Sequence, residues 1–222
     1  MKLAVVIPTL DERDRIKQSV ESALAPGVDV VVADGGSRDG TVEVAVRAGA
    51  RVVAAPRGRA RQLAIGTRAA QGEAIVLLHA DTLLPEAWAD GVRDALADPA
   101  VAGGCFVLRF DRRTPALRVI EWGAWLRSAL FALPYGDQAL FVRRQVLERI
   151  GGIPEAAIME DLDLVRALRR CGRLVRLPMP AITSARRYEA RGVFSTMLRN
   201  WGALLAWRLG LPRERVARWY GS

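Results

Sequence analysis

Residues 76–86 read VLLHADTLLPE: an apolar run delivers His79, Ala80 and Asp81 and then breaks at Pro85. His79 is the single histidine of the chain. The stretch is either a metal-binding pair at a strand end or one useful carboxylate beside a histidine that packs. A second stretch, VVVADGGSRDGT (30–41), ends an apolar run in Asp34 and continues with three glycines, Ser37 and Thr41. A turn of that composition can wrap closely around a ligand, and a carboxylate fixed there can accept hydrogen bonds from a nucleobase or a ribose. The plainer alternative is an Asx-type turn capped by Asp39 or Ser37. A third, IMEDLDLVRALRRCG (158–172), places acids at 160, 161 and 163 at the head of a helix whose buried side is Leu162, Val165 and Leu168. Acids also suit a first helical turn for purely structural reasons. Two weaker candidates follow. LPYGDQALFVRR (133–144) sets Asp137 before a strand, where a turn-forming role competes, and TSARRYEARG (183–192) sets Arg186 and Arg187 beside Tyr188, where a solvated loop competes.

The elements that must position these residues alternate in the first half. Short apolar runs at 2–7, 28–34, 50–55 and 74–80 read as strands, with helices over 11–25, from about Gly40, and over 59–71. Ile16, Val20 and Leu24 line one face of the first helix. Such a pattern predicts a parallel sheet with helices on both faces, whose ligands bind beyond the carboxyl ends of the strands. Three of the four strand ends carry acids: Asp11 and Glu12, Asp34, and Asp81. The second half is less regular. Strands are expected at 101–110, where Gly103 and Gly104 permit a bulge or close backbone approach, at 137–144 and at 173–178. Helices are expected at 115–132, 160–171 and 192–209. No repeat or linker is visible, so one domain over 1–222 is expected, with a ligand-binding half to about 100, a second half over 101–185 and a basic, Trp-containing end over 186–222.

Composition narrows the classes. The chain has 222 residues, half of them apolar, which suffices for one core with layers on both sides of a sheet. Its start, MKLAVVIPTLDER, is unlike a secretory signal, and no apolar run reaches the roughly 18–20 residues that span a bilayer. Cys105 and Cys171 are expected as free thiols in a reducing cytosol. The net charge is +9, and from Arg186 onward there are eight arginines and two glutamates. That end suits an anionic membrane face, a phosphorylated substrate or nucleic acid. With lysine nearly absent there is no Lys-rich nucleic-acid-binding arm. Neither the Gly-x-Gly-x-x-Gly fingerprint after the first strand nor a phosphate-loop Gly-Lys-Ser/Thr is present.

VVIPTLDER, VVADGGSRDGT, LLHADT and MEDLDL, in this order, resemble the family 2 glycosyltransferases of the GT-A fold, over roughly residues 1–185 and more loosely beyond. The likeness is closest to a compact bacterial subgroup without attached transmembrane helices. It implies a Rossmann-like three-layer α/β/α sandwich with a mostly parallel central sheet, and transfer of one sugar from a nucleotide-diphosphate sugar to an acceptor hydroxyl with inversion. Pro8, Thr9 and Glu12 fall where the family's first loop holds base and ribose, and Asp34 matches its base-contacting acid. Arg61 lies near the place of a basic side chain bordering the nucleotide. Asp81 matches the last acid of the Asp-x-Asp metal motif, implying Mn²⁺ or Mg²⁺ held by one carboxylate, phosphates and water. His79 stands where that motif has its first acid, and the candidate roles are nucleotide contact, packing or metal ligation. Asp161 matches the general base, with Glu160 positioning the acceptor or adjusting the base. Asp137, Arg186 and Arg187 are implied on the acceptor or diphosphate side. The Gln-x-x-Arg-Trp motif of processive synthases is missing. The partners implied are a nucleotide-sugar donor and an acceptor, for which a lipid-linked one would suit a membrane-facing C-terminal helix; nucleic acid is not expected. The expected location is the cytoplasm, at or away from the inner membrane face. Two other readings stay open: a sugar nucleotidyltransferase, and a basic membrane- or RNA-binding module.

Overall fold

The computed structural model describes residues 1–131 and 136–221, the side chains of 129–131 and 221 excepted. The first half is β1 (Leu3–Thr9), α1 (Arg13–Ala23), β2 (Val28–Asp34), α2 (Thr41–Arg47), β3 (Arg51–Ala54), α3 (Arg59–Ala69), β4 (Ala74–Leu77), β5 (Thr82–Leu83) and α4 (Trp88–Ala95). The second half is β6 (Val101–Phe110), α5 (Pro115–Phe131), a 3₁₀ turn (Gly136–Gln138), β7 (Leu140–Arg143), α6 (Arg144–Arg149), α7 (Glu160–Leu168), β8 (Arg173–Thr183), α8 (Arg186–Arg191), α9 (Val193–Arg208) and α10 (Arg213–Gly221).

Every strand joins one sheet in the order β3-β2-β1-β4-β7-β6-β8-β5. β3, β2, β1 and β4 are mutually parallel, as their helical crossovers require. β7 then pairs antiparallel to both β4 and β6, while β6 and β8 are parallel. Alternation along β1 feeds two cores. Leu3, Val5 and Ile7 pack with Ile16 and Val20 of α1 and Val92 of α4, while Ala4 and Val6 pack with Leu63 of α3, Leu147 of α6 and Leu164 and Val165 of α7. This is the three-layer sandwich the alternating pattern predicts.

The boundaries differ in instructive places. β4 stops at Leu77, so His79 and Asp81 lie beyond the strand rather than on it. The expected strand over 137–144 is reduced to Leu140–Arg143 because Gly136–Gln138 form a 3₁₀ turn. β8 runs on to Thr183 despite Pro178 and Pro180. Its register against β6 slips between Cys105 and Val107, opposite Arg176 and Pro180, so Pro178 falls in an irregularity that asks no ladder hydrogen bond of it. Gly103 and Gly104 do bring backbones close: a Cβ on them would lie 2.3 Å from the Phe141 carbonyl oxygen and 2.2 Å from that of Val175. Cys105 and Cys171 are free, and burial pushes the Cys105 thiol up to about 12. Among the described residues no helix is long and apolar enough to cross a membrane.

Candidate active site

The first two loops at the carboxyl edge are stapled to each other. Asp34 ends β2 and folds its carboxylate into its own loop, accepting from the Gly36 and Ser37 N–H groups (2.9 and 3.0 Å) and from the Ser37 hydroxyl (2.5 Å). The β1–α1 loop docks on it: Asp11 N–H donates to Ser37 Oγ, Arg38 N–H to Asp11 Oδ1, and Glu12 N–H to Thr41 Oγ1, each at 2.9 Å. Asp11 takes a left-handed conformation (φ 52°) to make that turn. Buried Gln62 of α3 ties both strand ends from below, donating to the Thr9 and Ala33 carbonyls. Pro8 and Thr9 thus complete a rigid edge. The expected Asx turn at Asp39 is present, its Oδ1 accepting from the Thr41 N–H at 3.0 Å and from the Thr41 hydroxyl, and Asp34 makes a second one in the same loop.

A second cluster forms where α3, β4, the 3₁₀ turn and α7 converge. Arg59, at the start of α3, pairs with Glu160 at the start of α7 (Nε to Oε1, 3.1 Å). Burial alone would lower the Arg59 pKa, but Glu160, Asp161, Asp137 and Asp81 together raise it. That guanidinium is consequently within electrostatic reach of all four acids. Burial raises the Glu160 pKa against the pull of Arg59. It also raises that of Asp137, with Asp161 adding to the effect and Arg127, Arg59 and Arg187 opposing it. Asp137 Oδ1 and His79 Nε2 are buried with no hydrogen-bond partner among the described residues. Burial, then Arg59 and Arg187, hold the His79 imidazole well below its usual pKa, so it is neutral at neutral pH. Asp161 accepts from the Gly136 N–H at 2.7 Å through Oδ2 and from Leu162 N–H through Oδ1. A side chain at Gly136 would have to displace the Arg59 guanidinium, since a Cβ there would lie 1.9 Å from Arg59 Nη2 and 3.1 Å from His79 Nε2. Met159 (φ 63°) and Ala139 (φ 46°) take left-handed conformations on either side of this cluster. Tyr135 lies outside the described residues.

The two clusters are bridged by Arg186 of α8. Its guanidinium pairs with Glu12 from the first loop and sits 3.3 Å from Asp81 Oδ2. Asp81 is fixed through its backbone as well, its carbonyl accepting from Ser184 N–H at 3.0 Å. Among the described residues no three His, Cys, Asp or Glu side chains gather to cage a metal. Asp81 and Glu12 instead offer hard oxygens beside one another. Such a donor set fits a divalent cation whose remaining ligands come from a phosphorylated substrate and water. His79 stands with Arg59 and Gly136 instead, as a neighbour of the turn.

A profile of Glycosyl transferase family 2 matches residues 4–151. The chain belongs to glycosyl transferase family 2. Three solved structures place the transferase among known folds. Glucosyl-3-phosphoglycerate synthase from Mycobacterium tuberculosis, in complex with Mn²⁺, UDP and glucosyl-3-phosphoglycerate, is 22% identical with TM-score 0.67, over 95% of this chain and 81% of that one. A mannosyltransferase from Pyrobaculum calidifontis, in complex with GDP-Man and Mn²⁺, is 25% identical with TM-score 0.70, over 91% of this chain and 61% of that one. S. aureus TarS is 14% identical with TM-score 0.65, over 90% of this chain and 39% of that one. Among proteins of curated function none matches the sequence significantly. The likeness confirms the GT-A fold, and family membership removes the non-catalytic module as a complete explanation.

The transferase brings Glu12, Asp81, Asp137, Glu160, Asp161, His79, Arg186 and Arg187 to one edge, and Pro8, Thr9 and Asp34 border it. Arg61 is exposed on α3 and pairs with no acid among the described residues. Arg59, two residues earlier, is the one that turns toward the acid cluster. Successive helical residues turn by about 100°, so Arg59 and Arg61 point roughly 200° apart. Nothing in APRGRARQ says which of the two faces inward. The third acid of α7, Asp163, does structural duty, accepting from Trp207 Nε1 at 2.9 Å and pairing with Arg213 at 3.0 Å. Trp207, from the basic, Trp-containing end, is thereby docked on α7, with the Arg166 and Arg213 guanidinium groups 5.7 and 5.8 Å from its ring centroid.

Proposed function

We propose that the transferase moves one sugar from a nucleoside-diphosphate sugar to an acceptor hydroxyl, with inversion and with a divalent cation, Mn²⁺ or Mg²⁺, at Asp81. The observation that carries this reading is the convergence of Asp81, Asp137, Glu160 and Asp161 on Arg59 at the carboxyl edge of the sheet. The bound complexes of the synthase (Mn²⁺, UDP) and the mannosyltransferase (Mn²⁺, GDP-Man) support it. The first hundred residues then bind the donor and 101–185 the acceptor. Pro8, Thr9, Glu12 and Asp34 border the base and ribose. Asp34 is held rigid by its Asx turn, so it presents a fixed acceptor edge. The cation, when bound, neutralises charge building on the departing diphosphate. Arg186 and Arg187 lie close enough to share that task from α8.

Asp161 removes the acceptor proton. Its carboxylate is oriented by the Gly136 N–H and stands at the rim of the cluster, where an incoming hydroxyl can reach it. A single displacement needs one base and no covalent intermediate, which matches inversion. Glu160, paired with Arg59, sets the charge around that base, and Asp137 with its unsatisfied oxygen faces the acceptor side. Neutral His79 offers its unpartnered Nε2 to a ribose or sugar hydroxyl. Turnover of nucleotide sugars with Mn²⁺ or Mg²⁺ tests the reading in wild type, Asp81→Ala and Asp161→Asn; undiminished turnover in both variants overturns it. A thermal-shift panel of nucleoside diphosphates with and without Mn²⁺ names the base.

Contact with an anionic membrane face belongs to the same reading. On α9, Phe194, Leu198, Trp201 and Leu205 follow at helical spacing and are 58–80% exposed, with exposed Arg191 and Arg208 at the two ends. A lipid-linked acceptor would then arrive in the plane where α9 rests. Co-sedimentation with vesicles containing phosphatidylglycerol checks this: wild type should pellet and Leu198→Glu/Trp201→Glu should not.

A further inference from the structure

A second concentration of positive charge lies away from the acid cluster. A cavity of about 730 Å³ opens between the end of β6, the start of α5 and the end of β8. That is the size of an ordinary small-molecule site. Arg109, Arg112, Arg113 and Arg118 line it, with Glu121 as the one acid and Pro180 on the strand side. The wall is ordered. Glu121 is buried and both its oxygens are used, accepting from Arg109 Nη1 at 2.7 Å and from Phe110 N–H at 2.8 Å, so Arg109 is held in place. Arg112 lies 3.6 Å from Glu189 in a pair exposed on both sides. Arg113 and Arg118 pair with no acid among the described residues. The cavity thus carries three positive charges beyond its one carboxylate.

Guanidinium groups gathered about an open cavity favour a planar or tetrahedral oxyanion, which they bind through paired charge-assisted hydrogen bonds. We propose that this cavity binds a ligand bearing a phosphate, or a pyrophosphate, at a site separate from the acid cluster. The two sites are neighbours, because β8 contributes Ile182 to the cavity wall and Ser184, two residues on, donates its N–H to the Asp81 carbonyl. The oxyanion is therefore either the charged group of the acceptor or a free anion acting on the reaction from next door.

Isothermal titration of the full chain with inorganic pyrophosphate at low ionic strength tests the site. The Arg113→Gln/Arg118→Gln variant, whose exposed side chains leave the melting temperature unchanged, should bind about tenfold more weakly or worse. Arg187→Gln, beside the acid cluster, should keep most of this affinity. Wild-type affinity in the double variant, or no heat from the wild type, overturns the proposal. Because this arm needs no turnover, its failure is distinct from failure of the glycosyl-transfer reading. Donor hydrolysis without acceptor separates the two sources. A free anion changes its rate in wild type and not in the double variant. The acceptor's own group leaves it unchanged while phosphate slows transfer competitively.

Discussion

At the end of β2 both oxygens of Asp34 already accept hydrogen bonds from the loop that follows, whereas at the start of α7 Glu160 is buried with Arg59 as its one ion-pair partner among the described residues. In the first region the Asp34 loop is hydrogen-bonded within itself before any ligand arrives, and the buried atoms there without a hydrogen-bond partner among the described residues are Thr9 Oγ1 and Glu12 Oε2 beside it. The second holds Asp137 and His79 with buried polar atoms that have no hydrogen-bond partner among the described residues, and burial pushes the Asp137 and Glu160 carboxyl groups toward their protonated forms. Preformed edges suit recognition of a rigid base. Electrostatically loaded clefts suit proton movement, where a side chain must change charge during the reaction.

Six substitutions test this contrast, beginning with the largest effect. Asp161→Asn should lower turnover by roughly 10²–10⁴-fold while donor affinity measured by titration stays near wild type. Arg59→Gln should strip Glu160 of its counter-charge. Breaking a fully buried pair costs about 3–5 kcal/mol, and because the Arg59 side chain is 38% exposed, the expected loss is about 1–3 kcal/mol in urea unfolding. Arg61→Gln, two residues away, should stay within about 0.5 kcal/mol and keep full turnover.

Asp34→Ala should cost about 1–2 kcal/mol by opening the Asx turn, and it should weaken donor binding without changing the pH profile of turnover. The pH dependence of stability divides the two regions most finely. Folded Glu160 and Asp137 hold protons to a higher pH than their unfolded counterparts. Between the ordinary carboxylate range and their raised values the folded state therefore binds more protons, and stability falls as pH rises through that window. Asp137→Asn should flatten that fall and raise the neutral-pH melting temperature by a few degrees, about 2–4 °C per kcal/mol in a chain of this size. His79 acts with the opposite sign: its lowered value makes stability fall as pH drops below its ordinary 6.5, and His79→Gln should remove that loss.

The sequence showed most of the fold's first half because helix and strand alternate there with clean periodicity. It also located the acids, since a parallel sheet sends strand ends to one edge. Orientation about a helix axis was harder to read. Arg59 and Arg61 are chemically alike and two residues apart, and only the packing of α3 against β1 and β2 decides which faces inward. Asp163 looks like a third member of the acid set until Trp207 and Arg213, some fifty residues on, arrive to claim it. Gly136 reads as an ordinary turn glycine, because its close approach to Arg59 and His79 is a tertiary fact with no local signal. The antiparallel β7 escaped the parallel pattern for the same reason.

Arg186 joins Glu12 and Asp81 from 174 and 105 residues further along the chain. A nascent polypeptide finished only to residue 185 would already possess both carboxylates, side by side and without their shared counter-charge. Those two like charges would disfavour the final approach of the β1–α1 loop to the β4 end until α8 emerges. The donor edge would then be completed only once α8 has followed it, and α8 would serve as the clasp that closes it.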